Sequence, residues 1–222
     1  MIHISETLAI QTVEEFLTAE ELAQLVKIMD AELRATGWRP RTQAETLPAP
    51  AAADEILRHA TARALPAMRR GMPSVTADAP WKYIELAAGE EVPRHLDGIP
   101  EPDVRPRRLG RIGVTITAAE EGGQFYVETS SSPLPWTGKV LGEAEGYHPG
   151  TSLSRSLPHE SLIAGHHYAE PDWLADAPTT RWITPAGAGV ALVYGAQVIH
   201  GVTPVTRGQA RRFVTDLTDG TP

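Results

Sequence analysis

Three residues of this chain have the types and spacing to hold a metal ion. His95-Leu96-Asp97 is an H-x-D tripeptide. On an extended strand, residues i and i+2 point to the same side, so one imidazole and one carboxylate meet the same ion. That is two-thirds of a 2-His-1-carboxylate facial triad, which leaves three positions of an octahedral iron(II) open for a chelating co-substrate and dioxygen. Alone, the tripeptide also describes a surface histidine beside a turn aspartate, so its context decides. A second imidazole is available at His200, which follows an apolar, strand-like run. Its plain reading is a core histidine at a strand end. The rivals His166 and His167 lie in sequence without strand character.

The elements that must position these residues follow from periodicity. A helix is expected over residues 18–36: Thr18 and Glu21 have the capping-box spacing, with Leu17 before them as a staple. Leu22, Leu25, Val26, Met29 and Leu33 give it one apolar face, and Gly37 sits at the stop. A second helix is expected over residues 54–65, ended by Pro66. From residue 80 the pattern turns to strands: 81–87, 92–97, 111–118, 124–128, 189–194, 197–202 and 211–217. Residues 130–180, rich in Ser, Pro, Gly and His, lose periodicity and read as a lid-like insertion. Helices followed by many short strands predict an α+β chain with a jelly-roll or barrel core. The expected organisation is one domain over 1–222: a helical part at about 13–70, a β core at about 80–128 and 183–217, and the insertion at about 130–180.

Composition excludes several classes. The chain has no cysteine, which removes disulfide scaffolds, zinc fingers and thiol nucleophiles, and fits a reducing, cytoplasmic setting. A net charge of −8 without a basic run argues against nucleic acid as a partner. No apolar stretch approaches the roughly 20 residues needed to cross a bilayer, and the first residues lack the pattern of a signal peptide.

The order strand, Gly89, His95-x-Asp97, strand, Gly122-Gly123-Gln124-Phe125, Pro185-Ala186-Gly187, apolar strand, then His200-Gly201-Val202-Thr203-Pro204-Val205-Thr206-Arg207-Gly208 resembles the prolyl-4-hydroxylase-like branch of the Fe(II)/2-oxoglutarate-dependent oxygenases. Phe16-Leu17-Thr18-Ala19-Glu20-Glu21 is similar to that family's first helix opening. The resemblance covers about 13–37, 80–128 and 183–217. It implies a double-stranded β-helix (jelly-roll) core with the N-terminal helices packed on one sheet. It implies Fe(II) held by His95, Asp97 and His200, with 2-oxoglutarate and O2 as co-substrates. Related halogenases replace the carboxylate ligand with a small residue, so Asp97 argues for oxidation rather than halogenation.

The far carboxylate of 2-oxoglutarate needs a cation, and a guanidinium suits a planar carboxylate better than an ammonium. The family places this residue ten positions after the distal histidine, which here is Ala210, followed by Arg211 and Arg212. A one-residue insertion near Gln209 would bring Arg211 into register. It is preferred because the Arg212 face would also bury Asp216. Arg212 is the alternative. Two co-substrate tyrosines of the family are replaced by Leu86 and Ala118, leaving Thr115, Thr117 and Tyr83 as substitutes.

The activity implied is oxidation of an unactivated C–H bond (hydroxylation, desaturation or ring closure) of a free amino acid or similar small metabolite, as in bacterial secondary metabolism. A peptidyl (prolyl-type) hydroxylase is the alternative within the family. A cupin-type metal isomerase or a non-catalytic binding module is the alternative outside it, distinguished by having no need for a buried arginine facing the metal. Trp136, His148, Arg155, His166, His167, Tyr168 and Trp173 are expected near the mouth, with Arg111, Arg155 and Glu85 as charged partners for a zwitterion. Oligomeric state is not legible.

Overall fold

The computed structural model describes residues 1–40, 45–136, 138–154, 172–184 and 186–220. Three helices are used below: α1 (Ile4–Thr7), α2 (Ala19–Thr36) and α3 (Ala51–Met68). The strands, in chain order, are β1 (Ile10–Val13), β2 (Leu47–Pro48), β3 (Ala77–Asp78), β4 (Lys82–Ala87), β5 (Val92–His95), β6 (Arg108–Thr117) and β7 (Glu121–Gly122). There follow β8 (Phe125–Ser130), β9 (Val140–Leu141), β10 (Thr151–Ser152), β11 (Thr179–Ile183), β12 (Ala191–Gly195), β13 (Ile199–Val202), β14 (Val205–Arg207) and β15 (Gln209–Thr218).

The larger sheet has the order β1-β12-β6-β15-β4-β2, with β3 also on β15; the smaller has β11-β8-β13-β5. Every pairing in both is antiparallel. Alternation assigns the two faces of the larger sheet. Tyr83, Ile112, Val114, Val193, Phe213 and Leu217 turn outward and pack against Leu25, Met29, Leu57 and Met68 of α2 and α3. Residues of the opposite parity on the same strands, Leu86, Leu192, Tyr194 and Ala210, turn inward and meet Phe125, Val127 and Val202 of the smaller sheet. The helices thus cover one face of the larger sheet, and the space between the sheets is left for a site.

Helix α2 forms as its sequence dictates. The Thr18 hydroxyl accepts from the Glu21 amide at 3.1 Å, and the Glu21 carboxylate accepts from the Thr18 amide at 2.9 Å. Gly37 ends the helix in the left-handed conformation at φ 65°. Helix α3 differs from expectation: it begins earlier and runs through Pro66 to Met68. Proline removes a single amide donor, close to the helix end, and the turn beyond it carries Met68 and Met72, both fully buried.

Two other expectations need correction. Strand β1 was not foreseen; it is a short, largely exposed edge strand on β12 with no apolar alternation to announce it. The segment 130–180 is not wholly loop. Strands β9 and β10 pair, Leu141, Tyr147 and Leu153 are buried in the main core, and β11 adds an edge to β8. Isolated buried residues between turns leave no period to read.

Candidate functional site

His95 and His200 are direct cross-strand partners where β5 meets β13. Asp97 follows His95 by two residues, and ligand atoms of all three lie within 4.8 Å of one another. The Nε2 of His200 is 3.7 Å from Asp97 Oδ2, and that of His95 is 3.9 Å from Oδ1. Each imidazole is oriented by its other nitrogen: His95 Nδ1 lies 2.9 Å from the Pro93 carbonyl and His200 Nδ1 2.8 Å from that of Val198. A carbonyl only accepts, so Nδ1 carries the hydrogen and Nε2 presents its lone pair to the cluster. Asp97 Oδ2 is buried without a hydrogen-bond partner. Two imidazole lone pairs facing a buried carboxylate, one of whose oxygens has no hydrogen-bond partner, are the arrangement a divalent cation requires.

Close packing holds β13 in place. A Cβ on Gly201 would lie 2.5 Å from the Val92 carbonyl and 2.4 Å from the Tyr126 hydroxyl. Only glycine lets β13 approach β5 closely enough to set His200 beside His95. The His200 ring is flanked by Phe125 and Tyr194, with centroids at 5.6 and 4.5 Å.

Electrostatics prepare the site for a cation. Burial raises the Asp97 carboxyl, but Arg111, then His200, His95 and Arg108, pull it the other way and leave it well below the usual carboxylate range. Burial, reinforced by His95, pushes His200 down to about 3, so the ring is neutral near neutrality. Burial and the Asp97 charge raise the Tyr194 phenol, which is therefore a hydrogen-bond donor.

The two arginines after His200 go to opposite sides of β15, and it is Arg212, not the preferred Arg211, that faces the cavity. Arg211 faces the helices: its Nε donates to the Tyr83 hydroxyl at 2.7 Å and its Nη1 pairs with Asp30 of α2 at 2.9 Å. Arg212 is the residue that lines the cavity beside His95 and His200, with Ile84, Thr115, Tyr194 and Val214. The objection to this face was a buried Asp216. Its answer is two ion pairs, to Arg111 at 2.8 Å and Arg108 at 2.9 Å. Arg212 Nη2 donates to the Gly123 carbonyl at 2.7 Å, while its Nε is buried and unpartnered. Burial pushes Arg212 down to about 10, and no carboxylate offsets it among the described residues.

The other expected site residues sort as clearly. Thr115 lines the cavity; Tyr83 and Glu85 do not, because Tyr83 donates to Glu85 at 2.7 Å on the helical side. Arg111 reaches the cavity, but its donors are turned to Asp97 and Asp216 at 2.9 and 2.8 Å. His148 packs on His3, and Trp136 donates from its indole to the Gln197 carbonyl at 3.3 Å. Trp173 sits, partly exposed, on the short helical segment Asp172–Ala175. Arg155, His166, His167 and Tyr168 lie outside the described residues. Sequence reasoning missed Tyr194. Its signal was parity: Leu192 and Tyr194 alternate with the core residues Ala191 and Val193.

No family profile matches the chain, and no curated protein matches its sequence. Solved structures do. A prolyl-4-hydroxylase of Pseudomonas putida has a TM-score of 0.58 at 14% identity, with 97% of this chain and 95% of that one covered. HygX from Streptomyces hygroscopicus, with nickel and 2-oxoglutarate bound, has a TM-score of 0.55 at 13% identity, covering 97% and 84%. The non-heme α-ketoglutarate-dependent carbocyclase SnoK from nogalamycin biosynthesis has a TM-score of 0.58 at 13% identity, covering 97% and 82%. At such identities the likeness is one of architecture, and it extends over nearly the whole chain. The fold is therefore that of 2-oxoglutarate-dependent oxygenases, prolyl-4-hydroxylases among them.

Proposed function

We propose that the chain is an Fe(II)- and 2-oxoglutarate-dependent oxygenase in which His95, Asp97 and His200 hold the metal and Arg212 anchors the far carboxylate of 2-oxoglutarate. The observation that carries this reading is Arg212. A guanidinium buried without a counter-ion costs several kcal/mol. It lines the same cavity as His95 and His200, and its Nε has no partner. A dicarboxylate that met the metal with one end and Arg212 with the other would supply the missing charge. A cupin-type isomerase or binding module has no use for this arginine, which sets the oxygenase reading above it.

When bound, the iron and 2-oxoglutarate supply oxidising chemistry: O2 is consumed, 2-oxoglutarate becomes succinate and CO2, and a C–H bond of the substrate is oxidised. The protein orients both imidazoles through the Pro93 and Val198 carbonyls and keeps the Asp97 carboxylate ionised. Tyr194 and Thr115 stand beside Arg212 in place of the family's two tyrosines and offer hydroxyl donors to the co-substrate.

The substrate we place among free amino acids and comparably small metabolites, oxidised by hydroxylation, desaturation or ring closure, in the cytoplasm and without nucleic acid or membrane as partner. The likeness to a carbocyclase of nogalamycin biosynthesis supports a small substrate. Among the described residues no helix is long and apolar enough to cross a membrane. The second reading, a peptidyl prolyl-type hydroxylase, is favoured by the likeness to the Pseudomonas putida enzyme. Succinate release measured with Fe(II) and 2-oxoglutarate against a panel of free amino acids and Pro-containing peptides separates the two. Stimulation by amino acids is expected; selective stimulation by peptides promotes the second reading. A chain that binds neither Fe(II) nor 2-oxoglutarate is not an oxygenase.

A further inference from the structure

The Asp97 carboxylate has an asymmetry that the ligand assignment leaves unused. Its Oδ1 is 2.9 Å from Arg111 Nη1, whereas Oδ2 has no hydrogen-bond partner. Arg111 is itself held from behind. Its Nε donates to Asp216 Oδ1 at 2.8 Å, and the other oxygen of Asp216 pairs with Arg108 Nη2 at 2.9 Å. Arg111 and Asp216 are direct cross-strand partners on β6 and β15. Asp97 is 6% exposed, so water does not compete for its oxygens as it would on a surface.

We propose that Arg111 is a positioning residue: it occupies Oδ1 so that Asp97 meets the metal through Oδ2 alone, and Asp216 with Arg108 keeps Arg111 in that place. This rests on the metal assignment proposed above. The consequence is a matter of coordination positions. A carboxylate bound through both oxygens takes two positions of an octahedral ion, and with two imidazoles only two remain. A chelating co-substrate fills both, leaving none for dioxygen. A carboxylate bound through one oxygen leaves three. Charge-assisted hydrogen bonds are among the stronger ones in proteins, and here one is directed at the single oxygen that must be kept off the metal.

The test counts open positions rather than turnover. Mn(II) is titrated into the full chain, and its bound waters are counted from the broadening of the electron paramagnetic resonance lines in oxygen-17-enriched water. The wild type is expected to retain three waters. Arg111→Met should retain two, because the released Oδ1 also binds, and Arg111→Lys, whose ammonium can still occupy Oδ1, should restore the third. Should Arg111→Met fail to fold, Asp216→Asn keeps the guanidinium but loosens its hold, and is expected to give a count below that of the wild type. An identical count in the wild type and every folded variant overturns the proposal, even where substrate KM rises, since Arg111 would then be serving the substrate. Failure of the wild type to bind Mn(II) through His95 and His200 is a different outcome: it overturns the metal assignment, and this proposal with it.

Discussion

Replacing Arg212 by methionine removes a half-buried cation whose Nε is shut off from solvent, while keeping most of its volume. In the unliganded protein that cation has one hydrogen bond, to the Gly123 carbonyl, and no ion pair among the described residues. Bound to a carboxylate it would be half of a buried charge pair, and truncating one half of such a pair costs about 2–5 kcal/mol. Nη2 is already engaged, which favours the lower part of that range. About 3 kcal/mol corresponds to a loss of roughly two orders of magnitude in affinity. Arg212→Met is therefore expected to raise the Kd of 2-oxoglutarate for the Mn(II)-loaded protein about a hundredfold, measured by calorimetric titration. The unliganded variant should melt no lower than the wild type, because replacing an uncompensated buried ion by an apolar side chain is commonly neutral or stabilising. Arg211→Met is the control with the opposite signature. It breaks the bonds to Tyr83 and Asp30, so its melting temperature should fall while 2-oxoglutarate affinity stays within about threefold, a difference of under 1 kcal/mol. An effect on affinity from Arg211→Met with none from Arg212→Met would refute the assignment of the two faces of β15.

Further expectations follow from particular contacts. Gly201→Ala places a Cβ against the Val92 carbonyl, so β13 must move away from β5; Mn(II) affinity, followed by paramagnetic resonance, should fall at least tenfold, and unchanged affinity would show that this close approach does not set the ligand spacing. Saturating Mn(II) should raise the melting temperature, equivalent to about 2.7 kcal/mol at a hundredfold excess over Kd, a gain that chelator reverses and that His95→Ala should lack. The pH dependence of the metal-free protein has a definite sign. His200 is held near 3 in the fold against an ordinary value of 6.5, so the unfolded chain takes up the proton first. Stability from this group is complete above about pH 6.5 and falls as pH drops towards about 3, by up to about 1.4 kcal/mol per pH unit. Urea unfolding across that window should show the slope in the wild type and a smaller one in His200→Gln; equal slopes would place the acid sensitivity elsewhere.

What could be read in advance was what periodicity and caps encode. Helix α2 follows its capping box and Gly37 because both signals are local. His95, Asp97 and His200 were visible because two strand positions and a flanking motif name them, and the cross-strand pair brings them together. The orientation of β15 was not legible. Arg211 and Arg212 are adjacent and alike, and the argument against Asp216 needed knowledge of Arg108 and Arg111 more than a hundred residues away in the chain. Alternation along β15 does hold from Leu217 through Phe213 to Arg211; the register shift here lies on β6, where Thr115 pairs with Arg212 and Thr117 with Arg211, so counting by twos from Thr115 fails across it. Tyr194 was overlooked because its run, Val190 to Tyr194, is apolar on both faces, so no polar alternation marks the residue that borders the cavity. The buried residues of 130–154 are single positions between turns, and they join the core through contacts with Ile2 and the first sheet rather than through any local pattern.

The central claim is that one cavity binds both metal and 2-oxoglutarate. Anaerobic addition of Fe(II) and 2-oxoglutarate to the protein, followed by visible absorption, tests it most directly, because chelation of the metal by the keto acid produces a weak charge-transfer band. The account predicts a band that requires both components, saturates at one equivalent of each per chain, disappears in His200→Ala, and needs far more 2-oxoglutarate in Arg212→Met. A protein that takes up Fe(II) but shows no band at any concentration of 2-oxoglutarate, or a band that survives loss of His200, would contradict it.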